Sequence, residues 1–197
     1  MTVDHHDDAV ISRQVRRLET LLEERGVVEG ATLDGAIDTF LASASPVNGA
    51  RIVARAWVDD AFQQRLLTDA NEAIADVGLT MAGGIQAQRL RVVANSDTVH
   101  NVIVCTLCSC YPIALLGPSP SWYKSEAYRS RVVREPRAVL AEFGLELADD
   151  VEIVVWDSSA ESRYIVLPQR PPGTGDLDEE QLAALVTRNG LIGTAVV

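Results

Sequence analysis

The sequence predicts an α+β fold: a helical arm over residues 1–80, then a mixed α/β layered domain (α-β-β-α) over residues 81–197. Three observations carry this expectation. Apolar side chains recur at helical spacing from Val10 to Val77, four short β-branched runs follow Gly83-Gly84, and helices come first with strands and helices mixed afterwards.

Each element has a local reason. Ile11, Val15, Leu18 and Leu22 make one stripe of a helix that Gly26 stops. Thr32 is a suitable N-cap for a second helix, with Leu33, Ile37, Phe40 and Leu41 on one face. Ser45-Pro46, a cap followed by a proline at the first helical position, opens a third helix through Trp57. Helical texture continues through Phe62, Leu66, Ala70 and Ile74 to Val77, where Gly78 ends it. Leu90–Ala94 and Val99–Val104 then read as strands around the turn-like Asn95-Ser96-Asp97, either a hairpin or two adjacent strands. A loop rich in Pro, Gly and Ser runs from Pro112 to Ser121. Ser125–Val133 and Pro136–Phe143 read as helices, Val151–Trp156 and Tyr164–Leu167 as strands. Asp178 with Gln181 forms a capping-box pattern for a last helix to about Thr187.

Composition narrows the function. The chain has 197 residues, with 17 basic and 28 acidic side chains and a net charge of −11. Its basic residues never gather into a run, so no face suits nucleic-acid phosphates. No apolar stretch reaches the ~18 residues of a membrane span, and MTVDHHDDAV lacks the basic and apolar regions of a signal peptide. The three cysteines, Cys105, Cys108 and Cys110, are too few and too close for a disulfide framework, so a cytoplasmic location is expected.

All the soft-ligand chemistry lies in Val104-Cys105-Thr106-Leu107-Cys108-Ser109-Cys110-Tyr111-Pro112. A C-x-x-C pair alone is compatible with half a zinc site, a redox dithiol or inert buried thiols. Structural zinc normally takes two ligand pairs well apart; no second pair exists, and the nearby His100 lies in a predicted strand. A thioredoxin-like dithiol opens a helix and needs no third cysteine. The Cys108-Ser109-Cys110 step suggests another arrangement. If both thiolates bind one ion, the backbone nitrogens of Ser109 and Cys110 lie between them and close chelate rings in one plane. Cys105 then adds an axial sulfur, and a sixth position stays open, as metal-ion catalysis requires. Anionic sulfur and nitrogen donors suit trivalent iron or cobalt rather than magnesium or calcium.

This segment resembles the metal-binding signature of the nitrile hydratase α subunit, and threonine after the first cysteine is similar to its non-corrin cobalt branch. Val99-His100-Asn101, Trp122-Tyr123-Lys124, Arg131-Val132-Val133-Arg134-Glu135-Pro136-Arg137, Trp156-Asp157-Ser158-Ser159-Ala160-Glu161 and Ile192-Gly193-Thr194-Ala195 resemble family segments in the same order. The likeness covers most of the chain from about residue 30 onward.

The resemblance implies a catalytic α subunit that hydrates a nitrile to its amide at a low-spin Co(III) centre, with Fe(III) the second expectation. By position, Cys105 stays a thiolate, Cys108 becomes the sulfinic acid and Cys110 the sulfenic acid, successive rungs of cysteine oxidation. The Cys110 oxygen acts as base or as nucleophile. Ser109 supplies an amide ligand and a hydroxyl near the open position. Gln86 matches a family glutamine near the substrate pocket. Asp157 and Glu161 resemble a pair that orients water or relays protons, or else cap a turn between strands. Trp122 follows the Pro/Gly/Ser loop and could line the site, or pack in the core. Ile113 and Ala114 stand where the family commonly has tryptophan and a second proline, which implies an altered pocket and a bulky or heteroaromatic nitrile, such as a cyano-deazapurine nucleoside. The implied partners are a β subunit, which brings two arginines to the oxidised sulfurs, and an accessory protein that inserts cobalt. The N-terminal arm then wraps a partner, or packs as a helical subdomain on its own core. Two rival readings remain: the metal subunit of a thiocyanate hydrolase, and a non-catalytic metal-binding interaction module.

Overall fold

The computed structural model describes residues 5–81, 88–108 and 110–197, with side chains from residue 9. The chain divides into two compact units, one ending at Ala42 and one running from Ser43 to Val197.

The first unit holds α1 (His5–Glu24) and nearly all of α2 (Gly30–Ser43). Helix α1 closes as its glycine predicts: Gly26 takes φ +64°, and the Val27 N–H returns to the Leu22 carbonyl at 2.9 Å. The apolar stripe Ile11, Val15 and Leu18 is exposed, and α2 buries no residue. Thr32 is not the cap expected from sequence. Helix α2 has already begun at Gly30, and the Thr32 hydroxyl donates to Glu29 Oε2 at 2.9 Å.

The second unit opens with α3 (Pro46–Val58), whose cap Ser45 accepts from the Val47 N–H at 3.2 Å. The helical run expected to reach Val77 is cut twice by aspartates. Asp59 accepts from Phe62 N–H at 2.9 Å to start α4 (Asp60–Thr68), and Asp69 accepts from Glu72 N–H at 3.2 Å to start α5 (Ala70–Ala75). An aspartate side chain satisfies the free amides of a new first turn, so it restarts a helix more readily than it continues one. These helices bury Ile52, Val53, Phe62, Leu66 and Ile74 in the same core as the strands. Trp57 Nε1 donates to the Pro168 carbonyl at 2.8 Å and ties α3 to the chain beyond the last strand.

The four expected strands form, as β1 (Arg89–Ala94), β2 (Val99–Val104), β3 (Glu152–Asp157) and β4 (Ser162–Leu167). Their pairing differs from a hairpin. β1 pairs with β4 and β2 with β3, both in parallel, so each strand of the first pair in sequence finds its partner in the second. Parallel pairing needs a long crossover, and residues 105–151 between β2 and β3 supply it. Asn101 joins the two sheets: its Nδ2 donates to the Ala94 carbonyl at 2.8 Å, and its Oδ1 accepts from Trp156 Nε1 at 2.7 Å.

The crossover carries α6 (Ile113–Leu116), a short helix inside the predicted loop, and α7 (Ser121–Lys124), which begins at that loop's last residue, then α8 (Glu126–Arg131) and α9 (Pro136–Glu142). The capping box at Asp178 and Gln181 opens α10 (Glu179–Leu185), which packs on α3. A further short helix, α11 (Arg188–Ile192), ends at Gly193. Among the described residues no helix is long and apolar enough to cross a membrane.

Candidate metal centre

Parallel pairing puts the carboxyl ends of β2 and β3 side by side, with Val104 opposite Asp157 in the register. Ligand sites of open α/β sheets form at that end of the strands, and the cysteine loop starts there. Cys105 leaves β2 buried, Cys108 is exposed and Cys110 is intermediate. Their sulfurs lie within 4.8 Å of one another. The Cys105–Cys108 separation is 3.5 Å and Cys108–Cys110 is 2.9 Å, and all three are free thiols.

These spacings bear on the kind of ion. Two sulfurs each about 2.3 Å from one centre stand about 3.3 Å apart at a right angle and about 3.8 Å apart at a tetrahedral one. The observed 2.9 Å is shorter than either value and 3.5 Å lies midway between them, so one ion can reach each neighbouring pair of sulfurs. Among the described residues no fourth His, Cys, Asp or Glu joins the three sulfurs, so the four-ligand closure of structural zinc is not met.

Several contacts hold the loop. Asp157 accepts from the Thr106 N–H at 2.9 Å and from its hydroxyl at 2.6 Å. Arg129 Nη1 donates to the carbonyls of Thr106 at 3.4 Å and Leu107 at 3.3 Å. Tyr123, fully buried, donates to the Cys110 carbonyl at 3.0 Å, and Tyr128 donates to the Ile103 carbonyl at 2.8 Å. Both tyrosines belong to an aromatic cluster with Tyr111, Trp122 and Phe143, edge-on in most of its contacts and tilted between Tyr123 and Tyr128. Burial raises the Tyr123 and Tyr128 phenols above their ordinary range and keeps them as donors.

The thiols are not equivalent. Burial first, and then the Cys108 thiol, push Cys110 up to about 12, with the Arg163 guanidinium opposing them. Burial also works to raise Cys105, yet backbone N–H donors from the loop outweigh it and hold that thiol below its ordinary value. One donor is the Cys108 N–H, 3.3 Å from Cys105 Sγ. Arg163 is buried at the start of β4, where its Nη1 donates to the Ser159 carbonyl. Among the described residues, Arg129 Nε, Arg163 Nε and Tyr111 Oη are buried with no hydrogen-bond partner. The three sulfurs and these unanswered donors beside them fit an anionic ligand set around a highly charged ion.

The structure brings Cys105, Cys108, Cys110 and Asp157 together. Trp122 packs its ring 4.9 Å from Tyr128 and 4.7 Å from Phe143, within the aromatic cluster. Ile113 heads α6 and is 37% exposed. Glu161 is exposed, and its backbone carbonyl accepts from Arg89 N–H at 2.7 Å where the β1–β4 pair begins. Gln86 and Ser109 lie outside the described residues. Sequence gives no sign of Arg129 and Arg163, which come from segments distant along the chain and carry no short motif, and it names Tyr123 only within the Trp122-Tyr123-Lys124 resemblance, with no role.

Fold and loop together define a metal-binding α+β subunit whose cysteine cluster faces outward from the ends of parallel strands. The family model for the nitrile hydratase alpha chain matches residues 9–195. The chain belongs to that family. It is 53% identical over 186 residues to the low-molecular weight cobalt-containing nitrile hydratase subunit alpha of Rhodococcus rhodochrous, covering 94% of this chain and 88% of that one. It is 47% identical over 165 residues to the thiocyanate hydrolase subunit gamma of Thiobacillus thioparus, covering 80% and 68%. Its structure superposes on a double mutant of the Fe-type nitrile hydratase from Comamonas testosteroni Ni1 with a TM-score of 0.89 and 40% identity, covering 99% of this chain and 92% of that one.

Proposed function

We propose that this chain is the catalytic α subunit of a cytoplasmic cobalt nitrile hydratase, converting R–C≡N and water to R–C(=O)NH₂ in complex with a β subunit. The observation that carries the reading is the gathering of the Cys105, Cys108 and Cys110 sulfurs within 4.8 Å of one another on the loop at the carboxyl end of β2. Cobalt is preferred over iron because of Thr106 after the first cysteine and because relatives at about half identity are named cobalt-containing.

Cys105, Cys108 and Cys110 would hold the ion through sulfur, and Ser109 and Cys110 through backbone nitrogen. A trivalent cobalt bound there supplies Lewis acidity that makes a nitrile carbon electrophilic. Cys105, buried, closes the inner side, while Cys108 and Cys110 leave the outer side to substrate. Were dioxygen to oxidise Cys108 to the sulfinate and Cys110 to the sulfenate, the Cys110 sulfenate oxygen would either take a proton from the attacking water or attack the nitrile carbon itself. In the second course a further water would then attack the Cys110 sulfur to break the S–O bond, restore the sulfenate and release the imidate that tautomerises to the amide. Asp157 keeps the loop on β3 through Thr106. Gln86 and the Ser109 hydroxyl serve the substrate side, and Glu161 an outer proton path. Ile113, partly exposed at the head of α6, with Ala114 beside it, supports a pocket shaped for a bulky or heteroaromatic nitrile. Insertion of cobalt falls to an accessory protein.

Co-expression with the β chain in cobalt-containing medium tests this reading. The expected result is one cobalt and three added oxygens per α chain, amide release from nitriles, and a kcat/KM for a bulky heteroaromatic nitrile at least about tenfold above that for acetonitrile. Carbonyl sulfide release from thiocyanate without nitrile hydration would favour the thiocyanate hydrolase reading, which the 47% identity to that enzyme's gamma subunit keeps in play. Bound zinc without cobalt or iron would favour a non-catalytic module. Comparable kcat/KM for the small and bulky nitriles would overturn the pocket reading alone.

A further inference from the structure

We propose that Arg129 is a positioning residue that, paired with Asp157 across Thr106, preforms the cysteine loop before any ion arrives. The inference rests on the reading of residues 105–110 as the metal loop and adds to it a residue outside the cysteine motif.

The two charged groups grip one residue from opposite ends. Asp157, at the carboxyl end of β3, takes the N–H and hydroxyl of Thr106. Arg129, on α8, reaches the Thr106 carbonyl and the next one along, Leu107, at 3.4 and 3.3 Å. Leu107 itself is 87% exposed, so its side chain adds little to hold the turn.

Planar trans peptides convert that grip into ligand geometry. In each peptide unit the C=O and the following N–H point in opposite directions. When Arg129 draws the Leu107 carbonyl to its own side, the Cys108 N–H turns the other way. It is found on Cys105 Sγ at 3.3 Å. A cation on α8 thus sets the direction of an amide aimed at the first sulfur. Arg129 Nε is buried with no hydrogen-bond partner among the described residues, on a side chain that is otherwise half-buried, and its positive charge can offset part of the negative charge of a thiolate cluster.

Arg129→Gln and Arg129→Lys, in the full-length chain, test the proposal. In the metal-free chain, amide hydrogen exchange over residues 105–110 should accelerate about tenfold in Arg129→Gln, the loss of a charge-assisted hydrogen bond. The thermal midpoint should stay unchanged, and Arg129→Lys should recover part of the protection. In the cobalt-loaded αβ complex, the Gln variant should lose cobalt to a chelator several-fold faster and shift the sulfur-to-cobalt charge-transfer band. Wild-type exchange in the Gln variant overturns the clamp, as does acceleration spread evenly over the whole chain. If Arg129→Gln does not fold, Asp157→Asn reads the same exchange from the other side, with wild-type protection again overturning it. Faster exchange in a chain that takes up no cobalt and hydrates no nitrile would leave the clamp standing and overturn the proposed function instead.

Discussion

Asn95 shows how one amide can set the protonation of a buried histidine. The Asn101 backbone N–H can only donate, and it donates to Asn95 Oδ1 at 2.8 Å, which turns Asn95 Nδ2 toward His100 Nδ1 at 3.3 Å. Nδ1 must then accept, so Nε2 carries the proton and donates to the Gly193 carbonyl at 2.8 Å. The neutral ring satisfies every partner, and a doubly protonated one would face Asn95 Nδ2 donor to donor. Burial accordingly holds the His100 pKa below its ordinary 6.5, with the Gly193 carbonyl opposing. Below pH 6.5 the unfolded chain takes up the proton before the folded one does, so stability falls as pH drops from 6.5 toward the lower folded value. Urea midpoints at pH 7.5 and 5.0 check this: the drop should be larger for the wild type than for His100→Gln, and equal drops would remove His100 from the cause.

At the scale of elements, the site depends on which strands pair. The runs at 89–94 and 99–104 look like a hairpin because the turn residues between them are local and visible. Their partners, at 152–157 and 162–167, are selected by packing across the core, which no local pattern reports. Gly193 belongs to the same packing. It ends α11 at φ +89°, and a Cβ there would collide with the Asn101 carbonyl and stand 2.8 Å from Val102 Cα on β2. Gly193→Ala therefore combines left-handed strain with a clash against the strand that feeds the cysteine loop. It should cost about 3 kcal/mol of unfolding free energy, measured by denaturant titration; a loss under about 1 kcal/mol would show that α11 shifts freely.

For the whole molecule, the apolar stripe of α1 is the feature that points to a partner. Ile11, Val15 and Leu18 are exposed on the first unit, and Leu33, Ile37 and Leu41 of α2 are exposed with them. Single exposed hydrophobics are ordinary, whereas a repeated stripe at helical spacing across two helices marks a candidate interaction surface. If the β subunit covers it, the triple substitution Ile11→Ser, Val15→Ser, Leu18→Ser should leave the unfolding transition of the second unit unchanged and abolish co-purification with the β chain. Retained co-purification would place that contact elsewhere.

The cysteine cluster was legible in the chain itself, because three thiols within a six-residue segment cannot lie far apart. The helix caps at Ser45 and Asp178 and the extents of most strands were legible for the same reason: backbone groups meet side chains two or three residues away. What holds the donors was decided only by tertiary structure. Asp157 reaches Thr106 because β3 runs parallel to β2, and Arg129 reaches the Thr106 and Leu107 carbonyls because α8 lies on the crossover between those strands. Such contacts join residues far apart in sequence, and the packed core chooses them from many arrangements that satisfy local preference equally well.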